Sequence, residues 1–501
     1  MGNVCGGDER RAARSAPSAT ATADGGSQNR SGLKRPKGGG FSLSNFISDN
    51  PGKIEAFYNV SRSKLGEGSY GSVSEAVHRA SGSRRAAKVI AKAHVSDASK
   101  LGMEIEIMKV MDHPNIIKLY ETFSDHRSIY LIMELASGGE LFDRIIEAQC
   151  LKEADAACIM QQIFRAVFYM HENQICHRDL KPENFLFSSR EPIDVATLKL
   201  IDFGLSCKVR KGQVLRTKAG TPYYVAPQVL KGAYGIESDV WSCGVIMYVL
   251  LCGYPPFYGD TDREVLQKVA SGNFEFRAAD WRGVSNDAKD LISATLKVKP
   301  QDRFSAGQCL NHIWVKKKAP NSRNVPLEAG IMANMRNFRS QNKLKKAAIQ
   351  IIAQSLDDNE LKRLKDLFTS LDKNGDGSLT PEELRKGLQE AGLGQKGEDL
   401  AETIKQIDAD GSGQIDYTEF LAAAMDKKTY LQEERLWAAF RVFDKDGNGK
   451  ITATELRQVL LSGSIDDVAN AQQIQDLVKD VDKNGDGEID FDEFVEMMKR
   501  T

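Results

Sequence analysis

The sequence predicts an α+β domain, followed by an all-α region of four similar helix–loop–helix units. Strand-like apolar runs alternate with short helical patterns from about residue 58, which indicates the α+β part. Four acidic loops, beginning at Asp372, Asp408, Asp444 and Asp482, are spaced by 36, 36 and 38 residues. Charge also divides the chain. Residues 1–356 carry 49 Lys and Arg against 36 Asp and Glu, whereas the remainder carries 19 against 33, so the two parts should attract each other.

Length and composition are those of a globular protein with about three domains. The eight cysteines are scattered from Cys5 to Cys309 without a C-x-x-C pair. This argues against a disulfide framework or a zinc site and favours a reducing intracellular compartment. The longest apolar run, around Val245–Cys252, is far shorter than the ~20 residues that span a bilayer. We also expect no secretory signal, because no charged segment leads into an apolar one.

Residues 1–51 are rich in Gly, Ser, Ala and Arg, and we expect a disordered tail. The chain opens with Met-Gly-Asn-Val-Cys-Gly, which resembles an N-myristoylation start beside a palmitoylation cysteine. It departs from the usual pattern at Gly6, where Ser or Thr is expected. A lipid on Gly2 alone binds membranes weakly, so a lipid on Cys5 and nearby basic side chains would supply the second signal. The alternative is an unmodified flexible tail.

A glycine-rich turn lies between two strand-like runs and carries the pattern G-x-G-x-x-G-x-V. Glycines let backbone amides approach phosphate oxygens closely, because no β-carbon obstructs them. The members of this candidate phosphate-binding turn are Leu65, Gly66, Glu67, Gly68, Ser69, Tyr70, Gly71, Ser72 and Val73.

Lys88 lies in the apolar, strand-like run 86–90. A buried ammonium is costly unless it meets anions, so we expect phosphates and a carboxylate as its partners. Glu104, in the helical stretch 100–111, is the better candidate for that carboxylate, and Glu106 is the alternative.

The most specific motif is His-Arg-Asp-Leu-Lys-Pro-Glu-Asn at residues 177–184. Asp-Phe-Gly at 202–204 and Gly-Thr-Pro-Tyr-Tyr-Val-Ala-Pro at 220–227 follow in order. With these motifs, residues 58–314 resemble a eukaryotic protein kinase with its bilobal fold. The lysine at position 181 and the Gly-Thr-Pro-Tyr-Tyr sequence resemble serine/threonine kinases rather than tyrosine kinases.

The resemblance implies roles in phosphoryl transfer from ATP, a reaction that needs alignment and charge neutralisation. Lys88, fixed by Glu104, would hold the α- and β-phosphates. Asn184 and Asp202 would bind Mg²⁺. Asp179 would accept or orient the proton of the attacking hydroxyl, and Lys181 would contact the transferred phosphoryl group.

The strand-like run 128–135 and the residues after it would line the adenine pocket of such a kinase. Met133 would lie behind the adenine, and the backbone of Glu134 and Ala136 would hydrogen-bond it. Glu140, which opens the next helix, would bind either the ribose or a basic residue of the substrate.

Two positions depart from the family pattern. Gln228 stands where the family has a glutamate that pairs with an arginine matching Arg303. Glutamine still accepts a hydrogen bond, but a charge-assisted bond is about twice as strong, so we expect slightly lower stability. Thr217 stands where calcium-regulated relatives usually have an acidic residue. It is either a regulatory phosphosite whose phosphate pairs with Arg178 or a hydrogen-bonded loop threonine.

After a linker at 315–330, residues 331–356 predict one basic amphipathic helix. Such a helix is typical of a target for a calmodulin-like clamp or a membrane surface, and a plain connector is the alternative. We expect Met335 and Phe338 to be its anchors. Lys343, Lys345 and Lys346 should face acidic residues.

The acidic region repeats the calcium-loop pattern of the EF-hand four times, at 359–394, 395–430, 431–466 and 469–501. Each loop offers oxygen ligands at matching positions, the fourth of each set through its backbone carbonyl. The ligands are Asp372, Asn374, Asp376, Ser378 and Glu383; Asp408, Asp410, Ser412, Gln414 and Glu419; Asp444, Asp446, Asn448, Lys450 and Glu455; and Asp482, Asn484, Asp486, Glu488 and Glu493. Four complete loops at even spacing predict four calcium sites.

Together these parts resemble the calcium-dependent protein kinases of plants and protists: a bilobal kinase fold followed by an all-α calmodulin-like domain of four EF-hands. The resemblance implies a monomeric, calcium-activated serine/threonine kinase that uses ATP, Mg²⁺ and Ca²⁺ and binds protein substrates, not nucleic acid. The junction helix would hold it inactive, as a pseudosubstrate or by distorting the lobes. It would reside in the cytoplasm on the inner face of a membrane. The alternatives are a kinase-shaped scaffold and a kinase controlled by separate calmodulin.

Overall fold

A two-lobed domain, a pair of junction helices and a helix–loop–helix region follow one another along the chain. The computed structural model describes residues 46–50, 53–68, 71–95, 97–147, 151–319, 327–392, 400–460 and 467–500. The predictions for Gly2, Cys5, Ser69, Tyr70, residues 1–45 and the linker residues 320–326 lie outside the described residues. Within those ranges, no helix combines the length and apolarity that crossing a bilayer requires.

The N-terminal lobe is a six-stranded sheet with one long helix beside it. Its strands are β1 (Ser48–Asn50), β2 (Tyr58–Gly68), β3 (Gly71–His78), β4 (Arg84–Ala91), β5 (Leu119–Ser124) and β6 (Ser128–Met133). Their order is β1-β5-β6-β4-β3-β2, and only the β1–β5 pair is parallel. Helix α1 (Ala98–Val110) begins at Asp97, whose carboxylate accepts the N–H groups of Ser99 and Lys100.

The C-terminal lobe is mainly helical. Its elements are α2 (Leu141–Glu147), α3 (Glu153–Glu172), β7 (Ile175–Cys176), β8 (Phe185–Phe187), β9 (Leu198–Leu200), β10 (Cys207–Lys208), α4 (Pro227–Lys231), α5 (Glu237–Cys252), α6 (Asp262–Ser271), α7 (Asn286–Thr295), α8 (Ala306–Asn311) and α9 (Ile313–Lys318). Short 3₁₀ turns occur at Ile54–Ala56, Lys92–His94, Pro182–Asn184 and Pro300–Asp302. Helix α5 contains the longest apolar run and packs against α3 and α7, which is why it is apolar on nearly every side.

The segment predicted as one helix over 331–356 forms two helices, α10 (Ala329–Arg339) and α11 (Lys343–Ser355). The prediction of a single helix was wrong because Asn342 caps a new start: its side chain accepts the N–H of Lys345. Asparagine satisfies an amide that would otherwise lack a partner, so the backbone can restart there.

The predicted apolar anchors of the junction are buried, whereas its lysines behave differently from prediction. Met335 and Phe338 are fully or almost fully buried in one core cluster with the helix–loop–helix region. Among the described residues, the hydrogen-bond partners of these lysines are not carboxylates. Lys343 donates to the Gln473 side chain, Lys345 to the backbone carbonyl of Arg500 and Lys346 to that of Gln406. The amphipathic pattern missed this because Lys345 is buried, and burial together with nearby cations lowers its pKa to about 8.

The helix–loop–helix region consists of two pairs of units, each joined by a short antiparallel strand pair. Leu379 lies opposite Ile415 in the first pair, and Ile451 lies opposite Ile489 in the second. The elements are α12 (Asp358–Leu371), β11 (Ser378–Leu379), α13 (Pro381–Glu390), α14 (Leu400–Ile407), β12 (Ile415–Asp416), α15 (Tyr417–Ala424), α16 (Lys427–Tyr430), α17 (Glu433–Phe443), β13 (Lys450–Ile451), α18 (Ala453–Leu460), α19 (Asp467–Val481), β14 (Ile489–Asp490) and α20 (Phe491–Lys499).

The first pair of units docks on the two-lobed domain. Thr418 donates its backbone N–H and its hydroxyl to the two carboxylate oxygens of Asp112, at 2.8 and 2.7 Å. Gly377 lies so close to Tyr169 and His113 that a β-carbon there would approach their rings to less than 3 Å. Because Asp112 and Thr418 are both buried, separating the surfaces would leave polar groups to be hydrated again.

Gln228, at the position where the family has a glutamate, makes two hydrogen bonds, whereas the sequence predicted one. Its amide oxygen accepts from Arg303 Nη2 at 3.0 Å, and its amide nitrogen donates to the carbonyl of Val298. Both Gln228 and Arg303 are buried. A glutamate would strengthen the first contact but place a carboxylate oxygen against the Val298 carbonyl.

We therefore expect Gln228→Ala to lower the free energy of unfolding of the C-terminal lobe by about 1–3 kcal/mol, because buried hydrogen-bonding groups lose their partner. Gln228→Glu should change the free energy of unfolding less, since the bond with Arg303 becomes stronger while the bond to the Val298 carbonyl is lost. Native-state hydrogen exchange of the α5 amides measures both variants. Equal destabilisation by alanine and glutamate would contradict this account.

Candidate active site and calcium-binding loops

Lys88 and Glu104 meet inside the N-terminal lobe. Strand β4 places Lys88 and helix α1 places Glu104 so that Lys88 Nζ lies 2.7 Å from Glu104 Oε1, with both side chains largely buried. Lys88 Nζ is also 3.9 Å from Asp202 Oδ1. The alternative partner, Glu106, instead lies 3.5 Å from Lys208. This arrangement presents an ammonium beside two carboxylates, which suits binding of phosphates and a cation.

Asp179 stands at the centre of a second polar group. Its Oδ1 accepts the hydroxyl of Thr221 at 2.8 Å, and its Oδ2 lies 3.1 Å from Lys181 Nζ. Asn184 Nδ2 donates to the backbone carbonyl of Asp179 at 2.7 Å, so its amide oxygen is the atom that can face a cation. Asp202 Oδ1 accepts the N–H of Gly204 at 3.0 Å. These oxygen donors fit Mg²⁺, which prefers carboxylate and amide oxygens.

Asp239 supports this group, and the sequence reasoning missed it. Its carboxylate accepts the backbone N–H groups of His177 and Arg178, both at 2.9 Å, and lies 3.0 Å from His171 Nε2. Burial raises the pKa of Asp239, but the hydrogen bond from His171 and the other polar contacts outweigh burial and lower it. Arg178 has a φ of 71°, so these bonds hold a strained backbone in place. Asp239 lies in the first turn of α5 beside Glu237, where acidic residues are common, so its role had no specific signal in the sequence.

The predicted adenine pocket follows strand β6. Met133 is 7% exposed and pairs in register with Ala86 of β4. Glu134 donates its backbone N–H to Lys118, while its buried side chain lies 2.6 Å from Lys199 Nζ. Ala136 is partly buried, and Glu140 is exposed at the start of α2. The Glu134–Lys199 pair links the pocket to β9 of the C-terminal lobe.

The glycine-rich turn connects β2 to β3. Gly66 pairs with Val73, Glu67 with Ser72, and Gly68 with Gly71, so the two strands run together to the tip of the turn. A β-carbon on Gly71 would lie 1.8 Å from the carbonyl oxygen of Val89, which excludes any other residue there. Leu65 is 56% exposed, which is unusual for a large apolar side chain.

Thr217 is exposed in the loop between β10 and α4. Its backbone carbonyl accepts the hydroxyl of Tyr234 at 2.6 Å. Arg178 Nε donates to the Leu205 carbonyl at 2.5 Å. Thr217 is thus exposed, while the hydrogen bond from Tyr234 fixes its backbone.

In each calcium loop the first aspartate and the last glutamate are held by backbone amides. Asp408 accepts the N–H groups of Gly411 and Gly413 at 2.8 and 2.7 Å. Glu419 accepts those of Ala409 and Asp416 at 2.7 and 3.1 Å. The other loops repeat these bonds at Asp372, Glu383, Asp444, Glu455, Asp482 and Glu493.

The loop geometry fits calcium. The sixth-position glycines Gly377, Gly413, Gly449 and Gly487 have φ values of 82, 87, 87 and 83°, a conformation that favours glycine. Carboxylate oxygens come within 4.8 Å of one another in the sets Asp408, Asp410, Glu419 and Asp444, Asp446, Glu455. Within the described ranges, only the second and third loops gather three carboxylates so closely. In the first and fourth loops an asparagine occupies the third position.

The seventh positions contact each other across each loop pair. Ser378 donates its hydroxyl to Gln414 Oε1 at 2.5 Å. Lys450 Nζ lies 2.8 Å from Asp486 and 3.1 Å from Glu488, both in the fourth loop. The backbone carbonyls of these positions are the predicted ligands, so their side chains are free to join neighbouring loops.

Burial makes calcium binding by the first loop sensitive to pH. Burial and the carboxylates of Asp376 and Glu383 raise the pKa of Asp372 to about 7, although Arg165 opposes the shift. Calcium binds the ionised carboxylate, so below pH 7 binding displaces a proton from most molecules. We expect the Kd of this loop to rise roughly tenfold between pH 7.5 and pH 6. Calorimetric titration of the wild type beside Glu383→Gln isolates the first loop, and a pH-independent difference would contradict the expectation.

The geometry defines a class of protein: a protein kinase joined to two pairs of EF-hands. The protein kinase domain family matches residues 59–315, and the EF-hand domain pair family matches residues 361–425 and 433–499. Among curated relatives, calcium-dependent protein kinase 3 of Plasmodium berghei (strain Anka) is 45% identical over 92% of this chain and 83% of its own length. Calcium-dependent protein kinase 5 of Plasmodium falciparum (isolate 3D7) is 42% identical over 91% and 80%.

A plant relative extends the comparison. Calcium-dependent protein kinase 7 of Arabidopsis thaliana is 37% identical over 92% of this chain and 86% of its own length. The chain belongs to the calcium-dependent protein kinase family. It is a calcium-activated serine/threonine kinase that uses ATP, Mg²⁺ and Ca²⁺, and the predicted fold class is confirmed. Hereafter residues 59–315 are the kinase domain, α10 and α11 the junction, and 358–500 the sensor.

Proposed function

We propose that Asp179, Lys181, Lys88 and Glu104 are the working groups of phosphoryl transfer from ATP to protein Ser and Thr side chains. Asp179 orients the substrate hydroxyl and accepts its proton, while Lys181, 3.1 Å away, contacts the transferred phosphoryl group. Lys88, held at 2.7 Å by Glu104, binds the α- and β-phosphates. Asn184 and Asp202 hold Mg²⁺, which neutralises phosphate charge when bound. The closed Lys88–Glu104 contact is the main support for this proposal.

The nucleotide lies under the glycine-rich turn and along the strand that ends at Met133. The backbone of Glu134 and Ala136 hydrogen-bonds its adenine. Glu140 has a pKa raised by partial burial and by the carboxylates of Asp143 and Glu183. This concentration of negative charge favours Glu140 as a contact for a basic substrate residue over the ribose, and it supports substrates with basic residues before the acceptor.

The junction is the proposed regulatory element. Without calcium it holds the kinase domain inactive, either in the substrate cleft or by distorting the lobes. With calcium the sensor takes the junction into its apolar grooves. The observation that supports this proposal is the burial of Met335 and Phe338 in the sensor while Lys88 and Glu104 are joined.

One assay tests the proposed control. The rate of peptide phosphorylation by the full chain is measured in chelator and in saturating Ca²⁺, without added calmodulin. We expect at least a tenfold higher rate with calcium, in line with common coupling free energies of 1–3 kcal/mol. Equal rates would overturn control by the sensor. No activity in either condition, with ATP binding intact, would favour a kinase-shaped scaffold.

Two modifications complete the proposal. Lipids on Gly2 and Cys5 attach the protein to the cytoplasmic face of a membrane, and Gly2→Ala with Cys5→Ser should move it to the soluble fraction.

Phosphate on the exposed Thr217 pairs with Arg178 and orders its loop. Mass spectrometry of the active enzyme tests the second point, and an unmodified Thr217 would disprove it.

A further inference from the structure

A short strand that precedes the kinase domain closes one edge of its sheet. Strand β1 pairs in parallel with β5, with Ser48 opposite Glu121, Asp49 opposite Thr122 and Asn50 opposite Phe123. The matched kinase domain begins only at residue 59, so this strand is an addition to the domain. Without it, β5 would present an open edge of unpaired backbone groups, which readily accepts another extended segment.

Side chains fix β1 in register on the kinase domain. Asp49 accepts the hydroxyl of Thr122 at 2.6 Å and lies 2.5 Å from Lys109 Nζ on α1. Asn50 Nδ2 donates to Glu121 at 2.7 Å, and the other oxygen of the same carboxylate accepts the hydroxyl of Tyr58. Helix α1 also carries Glu104, so the strand touches the helix that positions Lys88.

The same segment contacts the sensor on its other side. Phe46 is 3% exposed and belongs to the core cluster of the junction and sensor, not to that of the kinase domain. Partial burial raises the pKa of Asp49, but the hydrogen bonds from Lys109 and Thr122 outweigh burial and lower it, with a smaller contribution from the charge of Lys445 in the third calcium loop. Nearby, the Arg441 guanidinium of α17 lies 4.4 Å from the ring centre of Phe57.

We propose that residues 46–50 are a strap that occupies a peptide-binding groove formed jointly by the β5 edge and the sensor. The groove takes an extended segment with an aromatic residue three positions before an aspartate. One wall is kinase domain and the other is sensor, so the complete groove exists only when the sensor is docked. By reciprocity of coupled equilibria, a strap that favours the docked sensor also raises the apparent calcium sensitivity of the kinase.

The strap contacts both the kinase domain and the sensor. Its backbone bonds and Asp49 join the sheet to Lys109 near the end of α1, while Phe46 joins both to the sensor. The strap therefore couples the core of the sensor to the helix that carries Glu104.

The experiment uses the full chain with Asp49→Asn or Phe46→Ala and measures kinase activity against free Ca²⁺. We expect each variant to need about fivefold more Ca²⁺ for half-maximal activity, with the maximal rate unchanged. Hydrogen exchange at residues 121–123 should be faster in both. The matched control is Glu55→Gln, an equal charge change at an exposed position just outside the strap.

A rescue experiment separates a binding groove from a general structural role. A synthetic peptide of residues 44–52, added in trans to the Phe46→Ala, Asp49→Asn double variant, should restore the calcium midpoint. A midpoint within twofold of wild type for both single variants would overturn the proposal. A second result would also overturn it: the variants lose equal thermal stability with and without Ca²⁺, and the peptide does not change the calcium midpoint. This role of the strap rests on the proposed control of the kinase by calcium, which the wild-type phosphorylation rates in chelator and in Ca²⁺ test separately.

Discussion

Asp179→Asn should lower the rate of peptide phosphorylation by about 10²–10⁴-fold at saturating ATP and Ca²⁺. Asparagine fits the same space and can still accept the Thr221 hydroxyl, now bonded to Asp179 at 2.8 Å. It cannot accept a proton, and it removes the negative partner of Lys181. The loss should therefore fall on the chemical step, with kcat reduced and the KM for ATP nearly unchanged.

The matched control is Asp194→Asn, the same substitution at an exposed position of the kinase domain. It should retain wild-type activity. Binding of a fluorescent ATP analogue should be equal for both variants, because Asp179 is not among the groups proposed to bind nucleotide. An Asp179→Asn rate within tenfold of wild type would rule out Asp179 as the base.

Replacing both junction anchors, Met335→Ala with Phe338→Ala, should abolish activation by calcium, leaving the rate at saturating Ca²⁺ close to the rate in chelator. Both side chains are buried in the sensor. Truncation of a buried Met or Phe to Ala costs about 2–5 kcal/mol, so the pair removes more free energy than typical coupling between sites supplies. The two kinase rates, in chelator and in calcium, measure the effect.

The neighbouring Asn337→Ala is the control, since Asn337 is exposed on the same helix. Calcium binding by the double variant, followed by calorimetry, should persist because no loop ligand is changed. High activity of the double variant in chelator would contradict the expectation. It would mean that these two side chains hold the kinase inactive rather than serve its release.

Short motifs made much of the site predictable. Asp179, Lys181 and Asn184 lie within six residues, so one stretch of backbone sets their relative positions. Each calcium loop is likewise a single turn-rich segment in which glycine is needed at the sixth position. Glu104 was preferred to Glu106 as the partner of Lys88 because of its distance along the chain from the Asp-His-Pro-Asn sequence at 112–115, and Lys88 and Glu104 lie 2.7 Å apart.

Other features escaped prediction because they depend on distant neighbours. The amphipathic pattern predicted acidic partners for Lys345, yet Lys345 is buried and donates to the backbone carbonyl of Arg500. The helix break at Asn342 was missed because one capping residue stands against a long pattern of helical periodicity. Asp239 is distant in sequence from the catalytic motif that it supports, so no motif window includes both.

The sequence by itself determined the class of protein, the order of its parts and the composition of each calcium loop, since these depend on residues close together in the chain. The tertiary structure decided how the parts meet. Asp112 and Thr418 bind each other although 306 residues separate them. Phe46, which precedes the kinase domain, joins the core of the sensor. Such contacts depend on which buried polar and apolar groups find partners across a surface, and no local periodicity encodes that complementarity.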